Sequence, residues 1–136
     1  MPRVLGVDYG ERKVGLAVSD PLKIIAGPLA TERVSSMAEA AEKVLGRASE
    51  YDVELILVGY PWNLKGEKSR QTLRVDTFIE MLRTDGRFPV EIWDESFSSE
   101  RAKDILIAKG IKTGHNKTKV DEMAARIILQ EYLDSK

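Results

Sequence analysis

Residues 54–61, ELILVGYP, form a nearly unbroken apolar run ended by Gly59 and Pro61. A strand with one wet face alternates apolar and polar residues, so a run of this kind predicts a strand buried on both faces, the central parallel strand of a sheet. That strand needs helices above and below it, which restricts the chain to an α/β architecture.

The flanking sequence supplies the other layers. RVLGVD reads as a strand, YGERK as a turn and VGLAVSD as the hairpin partner. IIAGPLAT reads as a third strand that Gly27 and Pro28 interrupt, which places the break at an edge or a bulge. From Ser36 onward Met37, Ala40, Ala41, Val44, Leu45 and Ala48 fall on one helical stripe, and Ser36 with Glu39 forms a capping box at its start. A second amphipathic helix beyond the loop WNLKGEKS turns Val75, Phe78, Ile79 and Leu82 inward and ends before Asp85-Gly86. PVEIWDE is the fifth strand. A third helix follows Ser98 and Ser99 with Ala102, Ile105 and Leu106 inward, and after GIKTGHNK a last helix buries Val120, Met123, Ala124, Ile127 and Ile128. Three antiparallel strands followed by helix-length crossovers predict a five-stranded mixed sheet in a single α/β domain over residues 1–136.

Composition narrows the chemistry. The 136 residues are 43% hydrophobic, enough for one core, and contain no cysteine and one histidine, so thiolate sites are excluded and any metal must sit on oxygen ligands. MPRVLGVDYG lacks the apolar run of a signal peptide and no stretch approaches a membrane span, so the expected location is cytoplasmic, with no membrane partner. A net charge of -1 excludes coating of nucleic acid by bulk electrostatics and confines any polynucleotide contact to a local patch.

The candidate ligands are acids at element ends. Asp8 ends the first strand on the face of Val4 and Gly6, where the missing side chain of Gly6 leaves room above the sheet; the plainer role for Asp8 is to open the DYG turn. Asp94 and Glu95 end the fifth strand on opposite faces, and alternation does not decide which of them faces Asp8. Asp121 follows Thr118 by three residues, and T-x-x-D can be a capping box, although Asp121 also borders the buried stripe beginning at Val120. Ligands gather at strand ends in open α/β sheets, and neighbouring acids repel unless a divalent cation converts that repulsion into coordination. Magnesium or manganese held by Asp8, Asp121 and one of Asp94 and Glu95 would suit phosphodiester hydrolysis without a protein nucleophile.

Four segments, GVDYGERKVGLAVSD, VGYPWNLKG, WDESFSSERA and KVDEMAARIILQEYL, resemble in order and spacing the motifs of the bacterial YqgF/RuvX family, over nearly the whole chain. The resemblance implies a ribonuclease H-like fold, kinship with Holliday junction resolvases, and a nuclease that matures the 5′ end of precursor small-subunit (16S) ribosomal RNA. Carried over by position, it places the family's acids on Asp8, Glu95 and Asp121, choosing Glu95 over Asp94. It also sets Gly59, Pro61, Asn63 and Gly66 along the substrate groove. Tyr60 replaces the family's usual leucine, and Ser96 stands where the family most often carries arginine, at the position of an expected phosphate contact.

Lys13 lies in the first hairpin close to Asp8 and matches a basic position of the family, so a backbone-positioning contact is expected there. Asn63, Lys117 and Lys119 are the other expected substrate contacts, within basic groups that include Lys109 and Lys112 before Asp121 and Lys65, Lys68, Arg70 and Arg74 after the asparagine loop. Charge runs of this kind more often only solubilise. His115 offers a proton shuttle and Trp62 a stacking surface, whereas Trp93 suits the core. The expected substrate is precursor ribosomal RNA or, as the alternative, four-way junction DNA resolved by a dimer; the chain is expected as a monomer or homodimer. Two other classes compete. Nucleotide phosphoryl transfer would need a second domain and a glycine-rich phosphate loop, and a non-catalytic RNA-binding module would not need all three acids.

Overall fold

The computed structural model describes residues 2–61, 70–94 and 117–136, the side chains of residues 117–122 excepted. Its elements are β1 (Arg3–Tyr9), β2 (Lys13–Ser19), β3 (Ala26–Arg33), α1 (Met37–Glu50), β4 (Val53–Tyr60), α2 (Arg70–Asp85), β5 (Val90–Asp94) and α3 (Lys117–Asp134). The strands form one sheet in the order β3-β2-β1-β4-β5. β1 pairs antiparallel with β2, and β2 with β3; β1 pairs parallel with β4, and β4 with β5. This is the expected five-stranded mixed sheet. The apolar run of β4 lies inside it and is parallel to both neighbours, while the geometric centre is β1.

Both faces of the sheet are covered. One core joins Leu5, Val7, Leu16, Ile56 and Val58 to α1 and α2 through Val44, Ala48, Val75, Phe78 and Leu82. On the other face Val4, Ala17, Ala26, Leu55 and Leu57 pack against Ala125, Ile128, Leu129 and Leu133 of α3. The alternate sides of β1 and β4 therefore both meet apolar side chains, which is why their sequences lack polar alternation.

Local signals in the sequence act as expected with small changes. Ser36 caps α1 by accepting from the Glu39 amide at 3.1 Å, while the Glu39 carboxylate reaches Ser35 rather than Ser36, so the reciprocal half of the capping box is shifted by one residue. Gly27 and Pro28 fall in the edge strand β3, whose register with β2 skips one residue: Leu16 pairs with Ala30 and Ala17 with Pro28. That is the irregularity the two residues announce, because proline cannot serve an interior ladder. Gly86, at φ 79°, follows the end of α2 in the left-handed region that favours glycine.

Two expectations change. The buried side of α3 runs along Ala125, Leu129 and Leu133 as well as Ala124 and Ile128, whereas Met123 and Ile127 are only half-buried. Gly6 explains the rotation. A Cβ built on it would lie 2.9 Å from Leu129 Cβ and 3.2 Å from the Ala125 carbonyl oxygen, so the bare backbone of β1 receives the helix in close contact. The space over Gly6 is thus filled by α3 and does not form the cation room inferred from the sequence. The segment 62–69 and the stretch 95–116, which holds the third helix expected after Ser99, Lys109 and the loop residues Lys112 and His115, lie outside the described residues.

Gly6→Ala should force α3 off the sheet and destabilise the protein by about 1–3 kcal/mol. Gly46→Ala, on the exposed side of α1 where an added Cβ meets nothing within 4 Å, should stabilise it by about 0.5–1 kcal/mol. Urea denaturation midpoints of the two variants should move in opposite directions.

Candidate active site

Asp8 lies in β1 with Gly15 of β2 as its Cα partner, one residue before the strand ends. By alternation it shares the α3 side of the sheet with Val4 and Gly6, and it is half-buried. The neighbouring strand positions carry no side chains: Gly15 stands directly opposite, and Gly59 follows Val58, the β4 partner of Val7. Asp8 is therefore flanked by two glycines on adjacent strands, which leaves lateral room at the carboxylate. A cleft of about 210 Å³ opens there, lined by Asp8, Tyr9, Gly10, Glu11, Arg12, Lys13 and Gly15.

The turn beyond Asp8 is closed by the backbone itself. The Gly10 amide donates to the Lys13 carbonyl at 2.9 Å, and a Cβ on Gly10 would sit 2.7 Å from that oxygen, so only glycine fits. Asp8 belongs to the ladder rather than opening the turn. Lys13 has the parity of Gly15 on β2 and so shares the face of Asp8.

The start of α2 fastens this end of the sheet from the other side. Gln71 Nε2 donates to the Tyr9 carbonyl at 3.1 Å, and Thr72 Oγ1 donates to the Pro61 carbonyl at 2.9 Å. Arg74 binds the Glu11 carboxylate at 3.0 Å, and the Tyr60 hydroxyl donates to Asp76 at 2.6 Å. Tyr9 stacks on Phe78 with ring centroids 4.4 Å apart; burial pushes its phenol pKa upward, with Arg74 pulling the other way. Tyr9 is thus a neutral packing group at physiological pH. α2 in this way ties together the ends of β1 and β4, the strands between which Asp8 sits. Sequence reasoning missed Gln71 and Thr72. The one available signal was Thr72, a polar residue three positions before Val75 on an otherwise apolar stripe, fully buried in the structure.

The strand β5 separates the two acids that alternation left open. Val90 belongs to the core of α1 and α2, while Trp93 packs edge-on against Tyr132 of α3 at 5.7 Å and reaches Glu131 at 3.4 Å. Asp94, with the parity of Val90, stands on the face opposite Asp8. Glu95 and Ser96 lie outside the described residues. α3 begins at Lys117, so Thr118 is already inside the helix and does not stand at the cap position that T-x-x-D suggested for it. Asp121 is one i, i+4 step before Ala125, Leu129 and Leu133; its side chain and those of Lys117 and Lys119 lie outside the described residues, as does Asn63. Among the described residues no group of three acids or histidines could hold a metal ion, and no helix is long and apolar enough to cross a membrane. A larger cavity of about 420 Å³ lies at the opposite end of the strands, by Val4, Lys23, Glu54 and Tyr132. Ligands of open α/β sheets favour the carboxyl ends of the strands, which is the end of Asp8.

Solved structures share this fold. Fowlpox virus resolvase, determined with Holliday junction DNA, aligns with a TM-score of 0.63 at 15% identity, covering 98% of this chain and 97% of that one. RuvC of T. thermophilus, in complex with a Holliday junction substrate, aligns with a TM-score of 0.61 at 16% identity, covering 99% and 95%. The fold is therefore the ribonuclease H-like fold of the junction resolvases. The model of the RuvX family, described as Holliday junction resolvase, matches residues 2–135, and the chain belongs to that family. Among its curated relatives, a protein of Clostridium novyi named "Putative pre-16S rRNA nuclease" is 38% identical over 98% of both chains. One of the same name from Chlorobaculum tepidum is 39% identical over 98% of this chain and 94% of its own.

Thr72→Val keeps the buried volume and removes the donor to the Pro61 carbonyl. It should cost about 1–3 kcal/mol, read as a lowered urea midpoint with an unchanged denaturant slope.

Proposed function

We propose that this chain is a divalent-metal-dependent endonuclease that hydrolyses phosphodiester bonds in structured nucleic acid, with Asp8, Glu95 and Asp121 as both metal ligands and catalytic residues. The observation that carries this reading is the seat of Asp8: a half-buried carboxylate at the carboxyl end of the central strand, with glycine on each flank. The partners follow from position. From Gly6 to Asp8 the strand advances about 7 Å, and from Ala125 back to Asp121 the helix retreats about 6 Å, so the contact of Gly6 with Ala125 supports a level placement of Asp8 and Asp121. Asp94 lies on the wrong face, which favours Glu95.

The donor set fits a hard cation. It consists of carboxylate oxygens only, in a chain without cysteine, beside a backbone that no Cβ crowds. Magnesium or manganese, when bound, supplies an activated water and neutralises charge on the phosphodiester. The acids hold that charge in place; Lys13, Asn63, Lys117 and Lys119 position the substrate backbone around it.

The substrate is precursor 16S ribosomal RNA, cut in its 5′ region in the cytoplasm; the names of relatives at 38–39% identity support precursor 16S ribosomal RNA. The description of the matching family favours a second reading, four-way DNA junctions, and that activity requires a two-fold dimer presenting paired sites.

Purified protein should cut its substrate only with magnesium or manganese. Asp8→Asn should reduce the rate by more than the roughly 10–100-fold that loss of an outer partner of a metal site costs, with folding retained by circular dichroism. Cleavage that persists in a chelator refutes the mechanism. Precursor RNA and junction DNA assayed side by side decide the substrate: faster turnover of the junction, by a protein that sediments as a dimer, would replace the RNA reading.

A further inference from the structure

Most basic side chains among the described residues have a partner. Lys23 binds Glu54, Lys43 and Arg47 bind Glu32, Arg74 binds Glu11, Arg83 binds Glu80 and Arg87 binds Asp85. Arg12 and Arg33 differ. Both are exposed, and neither guanidinium has an ion pair or a hydrogen bond among the described residues. They are also neighbours, since the Val34 amide donates to the Arg12 carbonyl at 2.9 Å and Arg33 is the Cα partner of Lys13. Lys13 and Arg33 therefore stand side by side on one face.

Two described acids beside this corner, Glu11 and Glu32, are engaged elsewhere. Glu11 sits in the same turn as Arg12 but is held by Arg74 of α2. Glu32 precedes Arg33 but is held by Arg47 and Lys43 of α1. Among the described residues, what remains is a positive corner formed by Arg12 and Arg33, next to the cleft that Asp8, Arg12 and Lys13 line. Asp8 is the one acid of that lining besides Glu11.

We infer that the tip of the β1–β2 hairpin and the end of β3 form a phosphate clamp. Arg12 holds the backbone phosphate next to the one that is cut, and Arg33 holds the strand as it leaves over the β3 edge. The inference rests on the nuclease reading and deepens it by giving the path of the nucleic acid. The ligand is the sugar-phosphate backbone, whose spaced charges match cations along a strand edge, and the contacts carry no base information. Arginine suits the position because its planar fork binds phosphate oxygens in pairs.

The test is the salt dependence of binding, measured in a chelator by fluorescence anisotropy with labelled junction DNA and with a labelled RNA of the precursor 16S 5′ region. Each phosphate contact contributes about 0.7–0.9 to the slope of log K against log salt, so Arg12→Ala with Arg33→Ala should lower the slope by roughly 1.4–1.8 on whichever acid binds. Arg12→Lys with Arg33→Lys should keep most of it. Arg83→Ala with Arg87→Ala removes the same charge at the far end of α2 and should leave the slope in place. An unchanged slope in the first variant, or an equal fall in the last, overturns the clamp, as does failure of the unmodified protein to bind either acid. Cleavage is read separately with magnesium: a protein that cuts normally but keeps its slope loses only the clamp, and one that shows the slope change without metal-dependent cutting loses only the enzymatic reading.

Discussion

The contact between Gly6 and α3 is the constraint on which this structure turns. Where most strand residues would place a side chain, β1 offers bare backbone, and the Ala125 carbonyl and Leu129 side chain come close enough that an added methyl group would collide with both. That proximity fixes the height of α3 over the sheet and its rotation, turning Ala125, Leu129 and Leu133 toward Val4, Leu55 and Leu57. It also fixes how far along β1 the beginning of the helix reaches. A shift of one residue in this contact would move the start of α3 relative to Asp8 by about 1.5 Å, roughly three times the ~0.5 Å within which the groups of a preorganised site must be held.

The opposite layer complements this. α2 contributes apolar contacts through Val75, Phe78 and Leu82, and polar contacts through its first turn, where Gln71 and Thr72 bind carbonyls that the ladder no longer pairs at the ends of β1 and β4. Unpaired carbonyls are costly when buried, so side-chain donors at this point both stabilise the strand ends and limit their motion. The end of the sheet that carries Asp8 is thereby braced from one side by hydrogen bonds and from the other by close packing. Such support is what a preorganised site requires, since a ligand on a loose strand end would lose much of its affinity to ordering.

Electrostatics at this end follow from the same arrangement. Glu11 and Glu32 are drawn to α2 and α1 by Arg74 and Arg47, pairs that are too exposed to add much stability. Their effect is on the distribution of charge. With those acids engaged on one face, the hairpin tip and the end of β3 keep Arg12 and Arg33 as a local positive corner in a chain whose net charge is -1. A nearly neutral protein can thus present a basic surface to a polyanion without coating itself in lysine.

Much of the fold was readable from the chain alone, because it depends on periodicity. The uninterrupted apolar run of β4, the alternating hairpin of β1 and β2, the stripe from Ala40 to Ala48 and the break at Gly27-Pro28 each specify an element, and their order specifies a mixed sheet with helices on two faces. The family to which the four motifs point was readable too. Relations between elements were not, because periodicity describes one element at a time. The sequence suggested that Gly6 makes room for an ion, but the tertiary structure gives that space to α3 and places the glycines that flank Asp8 at positions 15 and 59. Alternation could not choose between Asp94 and Glu95, and it took the packing of Trp93 on Tyr132 to set Asp94 on the far face. Likewise the partners that hold Glu11 and Glu32 away from the hairpin tip are 63 and 15 residues distant in the chain. Composition and spacing determined which groups this protein has; only the approach of helices to the sheet decided which of them share a side.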